Sequence, residues 1–288
     1  MTGLFSRALF FALFLSVGFA ASAGSMTVSL SDAAPEQGAL LIVTAETQTP
    51  ADNLVVVWKG VSWPMRNIEP GRYETLIGVD LMAPPGPAPL VVEQTAGDAS
   101  ERSKETIHVV EKAFPVQRLS LPKTMAEFDK ATLSRIERER LALSERFSRV
   151  SLPVLWTLPF LPPVDGYRPN NFGARREING KPRSPHTGVD IGLPAGTPVR
   201  AIADGVAALA QEQFLGGRTV VLDHGGGVFS IYMHLQSYSV EEGRRVLRGE
   251  TIGAVGATGR ATGPHLHFGV RVSGGRVDPS LLLALPGK

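Results

Sequence analysis

Gly263-Pro264-His265-Leu266-His267-Phe268-Gly269-Val270 alternates its side chains behind a Gly-Pro turn. Side chains repeat every two residues along a strand, so the pattern predicts His265 and His267 on one face and Leu266, Phe268 and Val270 on the other. Two imidazoles then project together from an element anchored by its apolar face. A second cluster lies upstream in His186-Thr187-Gly188-Val189-Asp190, between Pro185 and Pro194, which argue against a helix. In an extended segment, positions four apart again share a face. An imidazole and a carboxylate there, facing imidazoles from a distant strand, would offer nitrogen and oxygen ligands suited to Zn²⁺. Three protein ligands leave a fourth tetrahedral position for water, whose pKa the metal lowers to about 7, and the remaining histidine becomes a base. The spacing leaves open which histidine of the His265/His267 pair is the ligand.

Outward from these clusters, the chain from about residue 160 onward reads as strands at 197–203, 206–211, 219–223, 229–235, 251–255 and 266–272. Glycine-rich turns such as Gly216-Gly217 and Gly225-Gly226-Gly227 separate them. This predicts an all-β domain that holds five of the six histidines: His186, His224, His234, His265 and His267. Residues 123–149 lack Gly and Pro, and Met125, Phe128, Leu133, Ile136, Leu141, Leu143 and Phe147 recur at three- to four-residue steps. That spacing predicts an amphipathic connecting helix. Before it, residues 26–110 read as short strands at 26–30, 39–45, 54–58, 73–79, 90–94 and 106–110, an immunoglobulin-like β-sandwich of about seven strands. His108 is the lone histidine of that segment and reads as structural or solvated.

The first residues concern targeting. Arg7 precedes an uncharged apolar run over residues 8–20, and Ala21-Ser22-Ala23 offers small residues for cleavage after Ala23. The run is shorter than the roughly 20 residues a bilayer requires, so the expectation is a removed signal peptide and an exported protein without a membrane span. The expected layout is signal peptide 1–23, β-sandwich 24–113, connecting helix 114–150 and metal-binding domain 151–288. Hydrophobic residues at 43% and charged residues at 19% exclude a disordered chain. A net charge of +2 supplies no field for nucleic acid, and Cys 0 excludes disulfides and thiolate metal sites.

Taken together these residues resemble the lysostaphin and LytM-type zinc endopeptidases, which cut peptide bonds in bacterial peptidoglycan. The resemblance covers about residues 164–283. It is carried by Asn171-Phe172-Gly173-Ala174-Arg175, His186-Thr187-Gly188-Val189-Asp190-Ile191, Pro194-Ala195-Gly196-Thr197-Pro198-Val199, Tyr232-Met233-His234-Leu235, Gly249-Glu250-Thr251-Ile252-Gly253, Gly256-Ala257-Thr258-Gly259 and Gly263-Pro264-His265-Leu266-His267-Phe268. It implies one Zn²⁺ per chain held by His186, Asp190 and His267. It also implies His265 as general base toward the metal-bound water, and His234 orienting that water or stabilising the oxyanion. The implied location is the periplasm or cell envelope and the implied partner is the peptidoglycan peptide, with room for an unidentified regulatory protein. The alternative from another class is a catalytically silent relative that binds the wall and activates other hydrolases.

Three further positions are candidate substrate contacts. Arg175 either anchors its loop or binds a substrate carboxylate. Tyr232 is expected to alternate with His234 on one strand face and line the cleft. His224, at a strand end before a glycine turn, reads as structural, with substrate contact as its alternative. If the sandwich or the 123–149 helix covers the cleft, a fragment beginning near Ser151 should turn over faster than the mature chain.

Overall fold

The computed structural model describes residues 26–287 except Thr49, Arg168 and Asn170. The expected signal peptide lies outside the described residues. Eight strands come first: β1 (Thr27–Leu30), β2 (Leu40–Glu46), β3 (Asn53–Trp58), β4 (Val61–Pro64), β5 (Arg66–Glu69), β6 (Arg72–Gly78), β7 (Gly86–Ala96) and β8 (Ala99–Val109). They form two four-stranded sheets, in the orders β1-β2-β6-β5 and β4-β3-β7-β8. Alternate residues of both sheets, among them Leu41, Val43, Leu54, Val56, Ile77, Leu90, Val92 and Ile107, close one buried core. The strands absent from the sequence reading are β4, β5 and the first half of β8. After Ala99 the strand runs Ser100-Glu101-Arg102-Ser103-Lys104-Glu105, whose side chains are exposed or half-buried on an edge strand, so no apolar alternation marks it.

The connecting segment contains strand β9 (Val116–Leu119), a single turn α1 (Lys123–Ala126) and the 18-residue helix α2 (Lys130–Phe147). The continuous helix expected over 123–149 is therefore broken at residues 127–129, where the Asp129 carboxylate accepts the Thr132 N–H and caps a new start. The apolar stripe is also narrower than expected. Phe147 is buried and Leu143 packs beside it, whereas Leu133 and Leu141 remain more than half exposed, because only the last turns of α2 meet the sheet below.

The C-terminal part contains β10 (Arg175–Ile178), β11 (Lys181–Pro182), β12 (Gly188–Gly192), β13 (Pro198–Arg200), β14 (Gly205–Gln213), β15 (Gly217–Asp223), β16 (Val228–Leu235), β17 (Ser237–Tyr238), β18 (Arg245–Val246), β19 (Thr251–Ala254), β20 (His265–Val272) and β21 (Gly275–Val277), then α3 (Pro279–Leu283). The main sheet runs β12-β20-β16-β15-β14-β18, with β21 beside β20. One face, carrying Leu266, Phe268, Val270, Tyr232 and Leu222, lies in the largest core. The opposite face carries Leu209, Val221, Phe229 and Ile231, which α2 covers through Phe147, its ring 5.4 Å from that of Phe229. The two halves of the molecule are joined by the Asp80–Arg276 pair at 2.6 Å and by Ser273 Oγ donating to the Leu76 carbonyl at 2.8 Å.

Candidate metal centre

Strands β12 and β20 pair antiparallel with Asp190 opposite His267 and Gly192 opposite His265. Directly opposite residues point to the same side, so a carboxylate and two imidazoles meet on the face that α2 partly covers. Gly188 permits this: a Cβ there would lie 2.9 Å from His267 Nε2 and 2.4 Å from the Phe268 carbonyl. His186 enters from the preceding segment, tied to the 171–174 loop by Gly173 N–H to His186 O at 2.8 Å and His186 N–H to Ala174 O at 2.9 Å.

Three atoms converge. His186 Nε2 and His267 Nδ1 are 3.0 Å apart, His186 Nε2 and Asp190 Oδ1 are 3.0 Å apart, and His267 Nδ1 and Asp190 Oδ1 are 2.9 Å apart. A tetrahedron with bonds of 2.0–2.1 Å has edges of about 3.3 Å, so this triangle fits a small divalent ion with only slight opening. Protonation fits as well. Burial acts to raise the Asp190 pKa, but the His186 and His267 rings against it outweigh burial and hold the carboxyl well below the usual range. Burial pushes the His267 imidazole down, toward the neutral form that can ligate. The His186 and His267 side chains are 1% and 10% exposed, whereas Asp190 at 24% and the neighbouring His265 at 19% open the centre to solvent.

Carbonyl partners decide where each neutral imidazole keeps its lone pair. A carbonyl only accepts, so the ring nitrogen facing it carries the proton. His186 Nδ1 donates to Asn171 O at 3.0 Å, His265 Nδ1 to Gly263 O at 2.9 Å and His234 Nδ1 to Thr258 O at 2.9 Å. In each ring Nε2 is left as the lone-pair nitrogen. His265 Nε2 lies 3.8 Å from Asp190 Oδ1, and the His234 ring centroid is 4.7 Å from that of His265.

His234 reaches this face through a bulge. Arg218 pairs with Leu235 but Val220 pairs with Tyr232, so Met233 and His234 together oppose the single residue Thr219. His234 takes the left-handed conformation, φ 62°, which is costly for a residue with a Cβ. The extra residue turns its side chain across the sheet toward His265. Burial then pushes its pKa down to about 4, with the Thr258 carbonyl opposing and the neighbouring histidines adding to the shift.

Comparisons with known proteins agree with this centre. Residues 184–279 match the family model for peptidase family M23. The crystal structure of a Pseudomonas aeruginosa chain assigned to peptidase M23 superposes with a TM-score of 0.67 at 30% identity, covering 86% of this chain and 95% of that one. The chain belongs to peptidase family M23. Among M23 relatives, the DD-carboxypeptidase/endopeptidase Mpg of Neisseria meningitidis is 48% identical over 101 residues, 35% of this chain and 23% of Mpg. The peptidoglycan DD-endopeptidase ShyA of Vibrio cholerae is 41% identical over 110 residues, 38% of this chain and 26% of ShyA. The aligned segment thus spans about a quarter of the length of these curated relatives.

Around the M23 centre, one expectation changes. Tyr232 does not line a cleft: it is fully buried on the opposite face, with its hydroxyl bound to Ser230 Oγ at 3.0 Å and accepting from Ile202 N–H at 3.2 Å. The bulge separates it from His234. His224 keeps its structural reading: it is wholly buried between the Asp204 carbonyl and Ser230 Oγ, both at 2.7 Å. Arg175 is exposed, and the guanidinium that enters the M23 centre is that of Arg176, whose Nη2 donates to Asp190 Oδ2 at 2.8 Å. Asn171 was missed as a site residue. Its Oδ1 accepts the Asp190 N–H at 3.0 Å, its Nδ2 reaches Asp190 Oδ2 at 3.4 Å, and its carbonyl orients His186. Both supporting residues lie upstream of the matched span 184–279, and neither is of a type that signals ligation by itself.

Proposed function

We propose that this M23 chain is an exported zinc endopeptidase that hydrolyses peptide cross-links of bacterial peptidoglycan. The observation that carries the reading is the His186–Asp190–His267 donor triangle with two further Nε2 lone pairs, of His265 and His234, beside it. His186, Asp190 and His267 would hold the ion. Zn²⁺ in such a site lowers the pKa of water and polarises the scissile carbonyl. His265, anchored by Gly263 O and bare at Nε2, takes the proton of the attacking water and returns it to the leaving amine. His234 has its only ring proton committed to Thr258 O and is kept neutral by burial, so its Nε2 accepts a hydrogen bond. That favours orienting the water over donating to an oxyanion.

The name of ShyA supports a wall substrate, and the names of both Mpg and ShyA favour a bond between D-residues. Arg175, exposed at the start of β10, remains available to a substrate carboxylate. In this reading residues 1–23 direct export, 24–113 form an immunoglobulin-like module, 114–150 connect, and 151–288 carry the M23 domain. Among the described residues no helix is long and apolar enough to cross a membrane.

The test is release of new amino groups from purified peptidoglycan by residues 24–288, with bound zinc quantified in the same sample. Chelation is expected to abolish release. His265→Ala is expected to retain zinc and lose about 10²–10⁴-fold in rate. Zinc-loaded protein inert on several wall types, or release that survives chelation, would overturn the reading.

A further inference from the structure

We infer that Gln117, on the strand connecting the two halves of the molecule, is a positioning residue of the metal centre: it orients Arg176, which holds the ligand Asp190. The inference rests on the zinc-centre reading above.

The connecting strand is built into the M23 domain. β9 pairs parallel with β10 in the register Val116↔Arg175, Gln117↔Arg176, Arg118↔Glu177 and Leu119↔Ile178. Its two ends are clamped: Arg175 N–H donates to Pro115 O at 2.8 Å, and the Asn179 side chain both accepts from Leu121 N–H and donates to Leu121 O at 2.9 Å. Phe114 lies flat against Gly173, where a Cβ would come within 2.1 Å of its ring, and meets Phe172 edge-on at 6.2 Å. Gly173 lies two residues after Asn171, so the same segment buttresses the loop that supports His186 and Asp190.

Gln117 and Arg176 stand directly opposite in this register. Gln117 Oε1 accepts from Arg176 Nε at 3.3 Å, while Arg176 Nη2 donates to Asp190 Oδ2 at 2.8 Å. A guanidinium is planar, so bonds on two of its edges fix both its position and its tilt. With Arg176 and Asn171 on Oδ2, Asp190 is left to present Oδ1 to the imidazoles. Removing the Gln117 acceptor frees the guanidinium to turn, and the carboxylate loses its fixed aim. Partners of metal ligands typically govern about 10–100-fold in metal affinity.

The test measures metal, not turnover, on the full chain. Zn²⁺ affinity by chelator competition and the visible spectrum of the Co²⁺ form are compared for the parent, Gln117→Ala, Gln117→Met, Gln117→Glu and Arg118→Ala. Gln117→Ala and Gln117→Met are expected to weaken Zn²⁺ binding about 10-fold and to alter the Co²⁺ bands. Gln117→Glu, which keeps an acceptor for Arg176 Nε, is expected to recover affinity to within about threefold of the parent. Arg118→Ala, on the same strand but paired outward with Glu177, is expected to match the parent. Parental affinity and spectrum in both Gln117→Ala and Gln117→Met would overturn the inference, as would equal weakening by Arg118→Ala. Zn²⁺ binding at parental affinity in both His186→Ala and His267→Ala would instead overturn the metal centre itself, and a folded Gln117→Met keeps the two failures distinct.

Discussion

His224 carries its own pH signature. Enclosed between a carbonyl and a hydroxyl, it has its pKa pushed down to about 4 by burial, against about 6.5 in an unfolded chain. Between these values the unfolded state binds a proton that the folded state refuses. Its contribution is therefore complete above pH 6.5 and is lost as pH falls toward 4, by about 3 kcal/mol. Denaturant titrations at pH 7.5 and 4.5 should show this loss in the parent and a shallower pH dependence in His224→Gln. An unchanged slope would mean that other groups carry the acid sensitivity. The residue scale also shows what local sequence leaves out. His186, Asp190 and the His265/His267 pair were legible because metal donors are few and their spacing is periodic, while the choice of His267 over His265 came from the family resemblance. Arg176 and Asn171 were not, since positioning a ligand needs only a donor or acceptor that folding brings near.

At the scale of elements, period-two alternation assigned β20, the flanking prolines pointed to the extended backbone of β12, and period 3.6 placed a helix where α2 lies but ran it on through α1. Alternation failed at β16, where one inserted residue moves His234 off the Tyr232 face and onto the metal face. Nothing in Tyr232-Met233-His234-Leu235 announces a bulge, because the strain at His234 is sustained by Gly216 O, Thr258 O and the neighbouring strands. Helix α2 teaches the same lesson for faces. Its periodicity includes Leu133 and Leu141, yet only Leu143 and Phe147 meet the sheet. Phe147→Ala is expected to cost about 3–5 kcal/mol, whereas Leu133→Ala should change stability by less than about 0.5 kcal/mol. Urea midpoints of the two variants check which face docks.

For the whole molecule, the contacts that join the segment before residue 151 to the M23 domain include the β9–β10 pairing, the Phe147–Phe229 packing, the Asp80–Arg276 pair and the Ser273–Leu76 hydrogen bond. A fragment beginning at Ser151 loses all of these. It uncovers Leu209, Val221, Phe229 and Ile231, each no more than 5% exposed in the intact chain. Such a patch on a small domain favours association. The fragment is therefore expected to bind a hydrophobic dye, to aggregate and to hold zinc more weakly than the full chain, contrary to the expectation that trimming speeds turnover. A soluble, faster fragment would show that the removed elements obstruct the site instead.

The sequence by itself determined the β-rich class, the histidine-bearing half and the candidate donors His186, Asp190 and the His265/His267 pair. These depend on periodicity, Gly and Pro punctuation and residue chemistry, all of which are local. Only the tertiary structure decided which face His234 occupies, which guanidinium supports Asp190 and how the connecting strand joins the site. Those outcomes depend on register, bulges and packing between segments as distant as Gln117 and Arg176, and the free energy that selects them is shared among neighbours on both sides.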